Sequence, residues 1–386
     1  MREVIEGRLV LADAVVPGRV VVEDGWIAAV EVALASSTSP SSSSPSSSTS
    51  AAGPFVCPGF IDVHVHGWGG HDATGDAAAL SGMARALLRR GVTSFLPTAP
   101  TLAPDELPRF AARVRAWMPG APADGAEPLG FNLEGPFLAP SRKGAHDPAL
   151  LRTPSELGDA AIDELLDGLR IMTIAPELPG ALALIARLAA LGIAPSLGHS
   201  GATLEEASAG FRAGGRTTTH LFNAMTGVDH RAPGLAVAAL TDDAAYAELI
   251  ADGFHVHPAL WPLITRTKPA DRLVLVSDAL PLAGMGDGPT RVGGLDVEVS
   301  GGRATLAGTD TLAGSTIALD SAVRNLVREG LPLPRALAAA SANPAALLGA
   351  DDRGMMEVGR LAHLVLLDED LRVTRVLRGE TWVDAG

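Results

Sequence analysis

The sequence predicts an α/β fold: a (β/α)8 TIM-like barrel with a small β-sandwich domain built from both chain ends. Three observations predict it. Across residues 58–345, short apolar strand-like runs alternate eight times with amphipathic Ala/Leu/Arg-rich stretches. Both termini consist instead of short strands with alternating polarity, broken by Asp-Gly and Gly turns. Metal-ligating or acid–base side chains end five of the eight apolar runs, at the strand ends where barrels of this kind carry their active sites.

Residues 1–57 and 346–386 are assigned to the small domain. Gly7–Ala12 and Gly18–Val30 alternate as strands, with Asp24-Gly25 as a turn. Residues 36–52 contain Ser, Thr, Pro and Ala alone, so the stretch 35–53 is expected to be a disordered loop inserted in a hairpin. From residue 58 the period changes. Strands are expected at 60–66, 93–99, 129–134, 171–176, 194–199, 217–222, 247–252 and 273–278. Helical patterns lie between them, among them Ala77–Arg90, Pro104–Met118, Gly180–Leu191 and Leu204–Ala213. A glycine-rich, strand-like excursion over 288–310 follows the eighth strand, and a helix from Ser315 to Glu329 completes the ring. Leu364–Asp368, Val373–Leu377 and Glu380–Val383 return to the strand character of the N-terminus.

Composition excludes several function classes. With 386 residues and 47% hydrophobic content, the chain can bury a large core. It has no run of about 18 apolar residues, so no membrane helix is expected. A net charge of −14 argues against nucleic acid or an anionic membrane as a partner, though not against a small anion held by a local cluster. The N-terminal Met1–Glu6 lacks the apolar core of a signal peptide, and Cys57 is the sole cysteine. A reducing cytoplasm is the expected location.

The chemistry is concentrated at the strand ends. His64 and His66 are two apart on one strand, so both imidazoles face one way. Glu134, His199, His220 and Asp278 each follow a short apolar run and precede a turn or helix signal. Any one buried histidine is more often a satisfied core residue; the joint pattern predicts a divalent metal. Neutral imidazole and carboxylate suit Zn or Fe, with one or two ions per subunit. A carboxylate such as Asp278 beside the metal can take a proton from water and return it to a leaving group; the alternative is that it acts only as a further ligand.

The motifs Pro58–Gly67, Leu133–Phe137, Lys143–His146, Gly198–Thr203, Thr219–Met225, Arg231–Leu235, Asp252–Val256, Ser277–Ala279 and Leu312–Ser315 run in order over nearly the whole barrel. In these the chain resembles the amidohydrolase superfamily and, within it, the N-acetylglucosamine-6-phosphate deacetylases. The resemblance implies hydrolysis of the acetamide of an N-acetylated amino-sugar 6-phosphate. It implies that Glu134, His199 and His220 hold the principal metal and that Asp278 is the catalytic acid–base. His146 is implied to contact the sugar and polarise the amide carbonyl, with a structural loop histidine as the alternative. Asn223 and the backbone of Ala224 are implied to bind phosphate, and the loop at Leu312 to close on the acetyl group. Arg231 and His255 are implied to reach the active site of a neighbouring subunit in a homodimer. Strand four, Ile171–Pro176, contains no lysine to carry a bridging carbamate, which leaves Glu134 as the available bridge. Because His64 and His66 are both present, a second metal position sharing Glu134 is expected. Two other readings stay open: deacetylation of another amino sugar, such as N-acetylgalactosamine 6-phosphate, and a catalytically silent assembly subunit.

Overall fold

The computed structural model describes residues 1–33 and 53–386. The Ser-rich stretch, apart from Gly53, lies outside the described residues.

All eight expected barrel strands form: β1 (Phe60–Val65), β2 (Val92–Ala99), β3 (Phe131–Phe137), β4 (Leu169–Ile174), β5 (Ala194–Leu197), β6 (Thr217–Thr218), β7 (Tyr246–Leu249) and β8 (Leu273–Leu275). They pair in parallel, each with its sequence neighbour, in the order β8 to β1. A parallel sheet covered by helices buries both faces, which explains why β1 is buried at every position although it contains Asp62 and His64. The strands differ from expectation chiefly in length. β6 contains two residues because the chain leaves the ladder before His220.

The seam between β8 and β1 closes beyond the regular ladder. Asp278 N–H donates to His64 O (2.8 Å), and the N–H groups of His66 and Gly67 donate to Ala279 O (both 2.9 Å). The helical ring closes in the same sector: Asp320, at the start of helix Leu319–Arg328, is buried against Arg90 (2.8 Å) and Arg324 (2.7 Å).

Helices begin where local chemistry permits. Asp76 caps Ala77–Leu88 by accepting from Ala79 N–H (2.9 Å). Thr203 and Glu206 form a reciprocal capping box at Leu204–Arg212, immediately after the loop that carries His199. The excursion after β8 is a three-stranded antiparallel sheet, Gly288–Val292, Leu295–Ser300 and Arg303–Leu306. Its Val297, Val299 and Ala304 pack on Leu280 and Ala313 over the mouth of the barrel.

The chain ends form a separate seven-stranded sheet that combines residues 2–32 and 55–58 with 363–384. Among the described residues, no helix is long and apolar enough to cross a membrane.

Candidate active site

Six side chains expected at the strand ends converge at one end of the barrel. His64 and His66 come from the end of β1, Glu134 from β3, and His199, His220 and Asp278 from the turns after β5, β6 and β8. All six are buried. Seven non-glycine residues among those described have a positive φ, and five of them are His199, His220, Phe222, Ala224 and Asp278. Backbone strain of this kind persists only where the surroundings hold it, and it concentrates at functional sites.

Glu134 is the hub. Its Oε1 lies 2.9 Å from Nε2 of both His199 and His220, and those two nitrogens are 3.1 Å apart. Its Oε2 faces Nε2 of His66 (3.1 Å), His146 (3.5 Å) and His64 (3.6 Å). Asp278 Oδ1 completes the second group, 3.0 Å from His66 Nε2 and 3.6 Å from His64 Nε2.

In three of the rings the outer nitrogen fixes the inner one. Nδ1 of His199 meets Arg142 O (2.9 Å) and Nδ1 of His66 meets Thr98 O (3.1 Å), so both carry the proton there. His64 Nδ1 donates to Glu248 Oε2 (3.2 Å). Each Nε2 therefore presents a lone pair to a carboxylate oxygen, an arrangement of acceptors that a shared cation satisfies. Protons occupy that position when no cation does. Burial opposes charge on His66, but Asp278 and Glu134 outweigh it and raise its pKa to about 9. Burial likewise opposes the charge of Glu134, but His146 and His64 hold its carboxyl well below the usual range. The His/His/Glu/Asp set thus suits a divalent metal, which competes with those protons.

A cleft of about 350 Å³ opens above this cluster. Its walls include Asn223, Ala224, His255 and Leu312, all expected site residues. His255 lines this chain's own cleft, and its Nδ1–H donates to Asp252 Oδ2 (2.7 Å). Burial disfavours its charge, but Asp252 outweighs this and raises its pKa. Arg231 is exposed on a loop outside the cleft, its main-chain N–H bound to Asp229 Oδ1 (2.8 Å).

The residues of the family's matching segment span 55–383, with the description "Amidohydrolase family". The chain belongs to the amidohydrolase family. It is 40% identical over 371 residues to an N-acetylgalactosamine-6-phosphate deacetylase of Escherichia coli O157:H7, covering 93% of this chain and 96% of that one. It is 41% identical to the human N-acetylglucosamine-6-phosphate deacetylase, covering 83% and 81%. A crystal structure of N-acetylglucosamine-6-phosphate deacetylase from Thermotoga maritima superposes with a TM-score of 0.89 at 32% identity over the whole of both chains. A Mycobacterium smegmatis N-acetylglucosamine-6-phosphate deacetylase variant, in complex with N-acetyl-D-glucosamine 6-phosphate, gives 0.86 at 36% identity over 99% of each.

Sequence reasoning missed three residues of this amidohydrolase site. Thr101 donates its main-chain N–H to His146 Nδ1 (3.2 Å), Arg142 supplies the carbonyl that orients His199, and Glu248 holds His64. The first two act through the main chain, which leaves no side-chain signature. Glu248 did leave one, as the lone charge within the buried run Tyr246–Leu249.

Proposed function

We propose that this chain hydrolyses the acetamide of N-acetyl-D-glucosamine 6-phosphate to D-glucosamine 6-phosphate and acetate, serving amino-sugar catabolism and cell-wall recycling. The observation that carries this reading is the Glu134-centred cluster with Asp278 and His146 at its rim, in a chain that aligns over nearly its full length with deacetylases of this substrate class. Residues 58–345 form the catalytic unit in this reading, with 1–57 and 346–386 as the small β domain.

Glu134, His199 and His220 would hold the principal cation, and His64 and His66 a second that shares Glu134; Zn or Fe suits these donors. A divalent cation there supplies Lewis acidity to water and to the amide carbonyl. The chain's own groups do the rest. Burial opposes the charge of Asp278, but His66 and His64 outweigh it and hold its carboxyl below the usual range, which keeps it ionised. Asp278 takes that proton from the attacking water. The water oxygen bonds to the acetamide carbon, His146 Nε2–H donates to the oxyanion that develops, and Asp278 returns the proton to nitrogen as the C–N bond breaks.

The substrate's phosphate falls to the far side of the cleft. Phe222 and Ala224 are left-handed (φ 76° and 48°), a curvature that turns main-chain N–H groups to one side and suits an anion beside Asn223. His255 adds an imidazole whose charged form Asp252 favours. Leu312 lies on the wall assigned to the acetyl group. Arg231 completes the phosphate site of a neighbouring protomer in a homodimer, located in the cytoplasm. A monomer in sedimentation at assay concentration would remove Arg231 from that role.

Identity to the Escherichia coli N-acetylgalactosamine-6-phosphate deacetylase supports the C4 epimer as a second reading. The test is acetate release from both phosphorylated epimers and from unphosphorylated N-acetylglucosamine, with and without a chelator. Chelator-sensitive release from N-acetylglucosamine 6-phosphate in preference to the other two is expected. Faster release from the galactosamine epimer would reassign the substrate, and no release from metal-replete protein would remove it.

A further inference from the structure

Among the described residues, Glu248 is a charged side chain buried completely on β7, with no role in the mechanism above. A carboxylate in such a place must be compensated by the groups that meet it. One oxygen meets both of its partners. Oε2 accepts from His64 Nδ1–H (3.2 Å) and from the main-chain N–H of His220 (3.2 Å). The carbonyl of Glu248 accepts from Leu221 N–H (2.8 Å) as well, so the turn after β6 is pinned to β7 on both sides of His220.

These partners belong to different halves of the cluster. His64 stands with His66 and Asp278; His220 stands with His199. Glu248 touches neither the cleft nor the convergent Nε2 atoms. It acts on them through the ring Nδ1 of His64 and the main chain of His220. The bond to Nδ1 fixes the tautomer of His64 and leaves its Nε2 lone pair facing Glu134 Oε2 and Asp278 Oδ1, each at 3.6 Å. The bond to His220 N–H restrains a residue whose φ is 29°, a conformation that side-chain-bearing residues rarely adopt.

We propose that Glu248 is a positioning residue: a single carboxylate oxygen that sets the orientation of His64 and His220 together, and so tunes both halves of the cation cradle. The proposal rests on the divalent-cation reading of the cluster. It predicts that changing Glu248 weakens cation binding, although Glu248 itself is no ligand.

The experiment is a cation titration and needs no substrate. Protein stripped with a chelator is titrated with Co²⁺ or Zn²⁺ against a chromophoric competitor, for the wild type, Glu248→Gln, Glu248→Ala and His64→Gln. Affinity is expected to fall about 10–100-fold in the two Glu248 variants, the range for groups that orient a ligand. The loss should be smaller in Glu248→Gln, which retains an oxygen for both N–H groups. Melting of the stripped proteins, followed in parallel, separates a folding defect from a binding defect. If Glu248→Ala does not fold, the comparison of Glu248→Gln with wild type decides. Wild-type affinity in Glu248→Gln, with binding lost in His64→Gln, overturns the positioning role while leaving the cation site intact. Absence of cation binding by the wild type overturns both readings.

Discussion

At the scale of single residues, Glu134, His146 and His199 converge within 4.8 Å and resemble three metal ligands. Their outer contacts separate them. His199 Nδ1 meets a carbonyl, so its proton lies outside and its lone pair inside. His146 Nδ1 meets the N–H of Thr101, so its lone pair lies outside and its Nε2–H points inward. Burial also keeps His146 neutral, lowering its pKa despite the opposing pull of Glu134. In the proposed reaction this makes His146 a hydrogen-bond donor rather than a ligand. His146→Gln is expected to lose about 10²–10³-fold in kcat and retain its metal. Asp278→Asn is expected to lose about 10²–10⁴-fold, also with metal retained. Turnover and metal content measured on the same preparations check both. Loss of a metal equivalent in His146→Gln would return it to the ligand set, and near-normal turnover in Asp278→Asn would refute the proton transfer.

At the scale of elements, the strand ends hold these side chains because the turns beyond them are fixed by the main chain. The β1–β8 seam shows this best. Gly67 N–H joins it, and a Cβ on Gly67 would lie 2.5 Å from His71 O and 2.6 Å from Pro281 N, both rigid backbone atoms. Gly67→Ala must push the end of β1 away from the segment carrying Asp278. A cost of about 1–3 kcal/mol in urea unfolding is expected, with reduced turnover. An unchanged unfolding midpoint would mean that the seam is looser than its hydrogen bonds imply. Period and turn signals made the strands, the antiparallel excursion and six of the converging side chains legible in sequence, because each is a local pattern. What stayed hidden was non-local. The two-residue length of β6 and the pinning of its turn by Glu248 both depend on neighbours in space.

At the scale of the molecule, the terminal sheet and the barrel are joined at the end away from the cleft by a charged cluster around one neutral ring. Arg353 donates to Ser94 Oγ of β2 and to Glu127 Oε2 (both 3.0 Å), while Arg378, from the sheet, donates to the carbonyls of Pro122 and Gly125 (both 2.9 Å). His363 is buried among them, and its carbonyl receives the N–H of Gly59 (2.8 Å) just before β1. Burial, reinforced by the charges of Arg353 and Arg378, lowers its pKa to about 3. The unfolded value is about 6.5. Above that pH the ring is neutral in both states and its contribution is constant. Between the two values the unfolded chain binds a proton that the folded chain refuses, so stability falls as pH falls, by about 1 kcal/mol per unit. His363→Gln removes this penalty. Unfolding free energies of the metal-free protein at pH 7, 6, 5 and 4 should fall less steeply in the variant, whatever the packing cost at pH 7. Metal-free protein is needed because cation release in acid adds its own slope, while His64 and His66, present in both proteins, cancel in the difference. Parallel acid slopes in the two proteins would show that His363 takes up a proton without opening the junction, and that the sheet and barrel part more easily than their ion pairs imply.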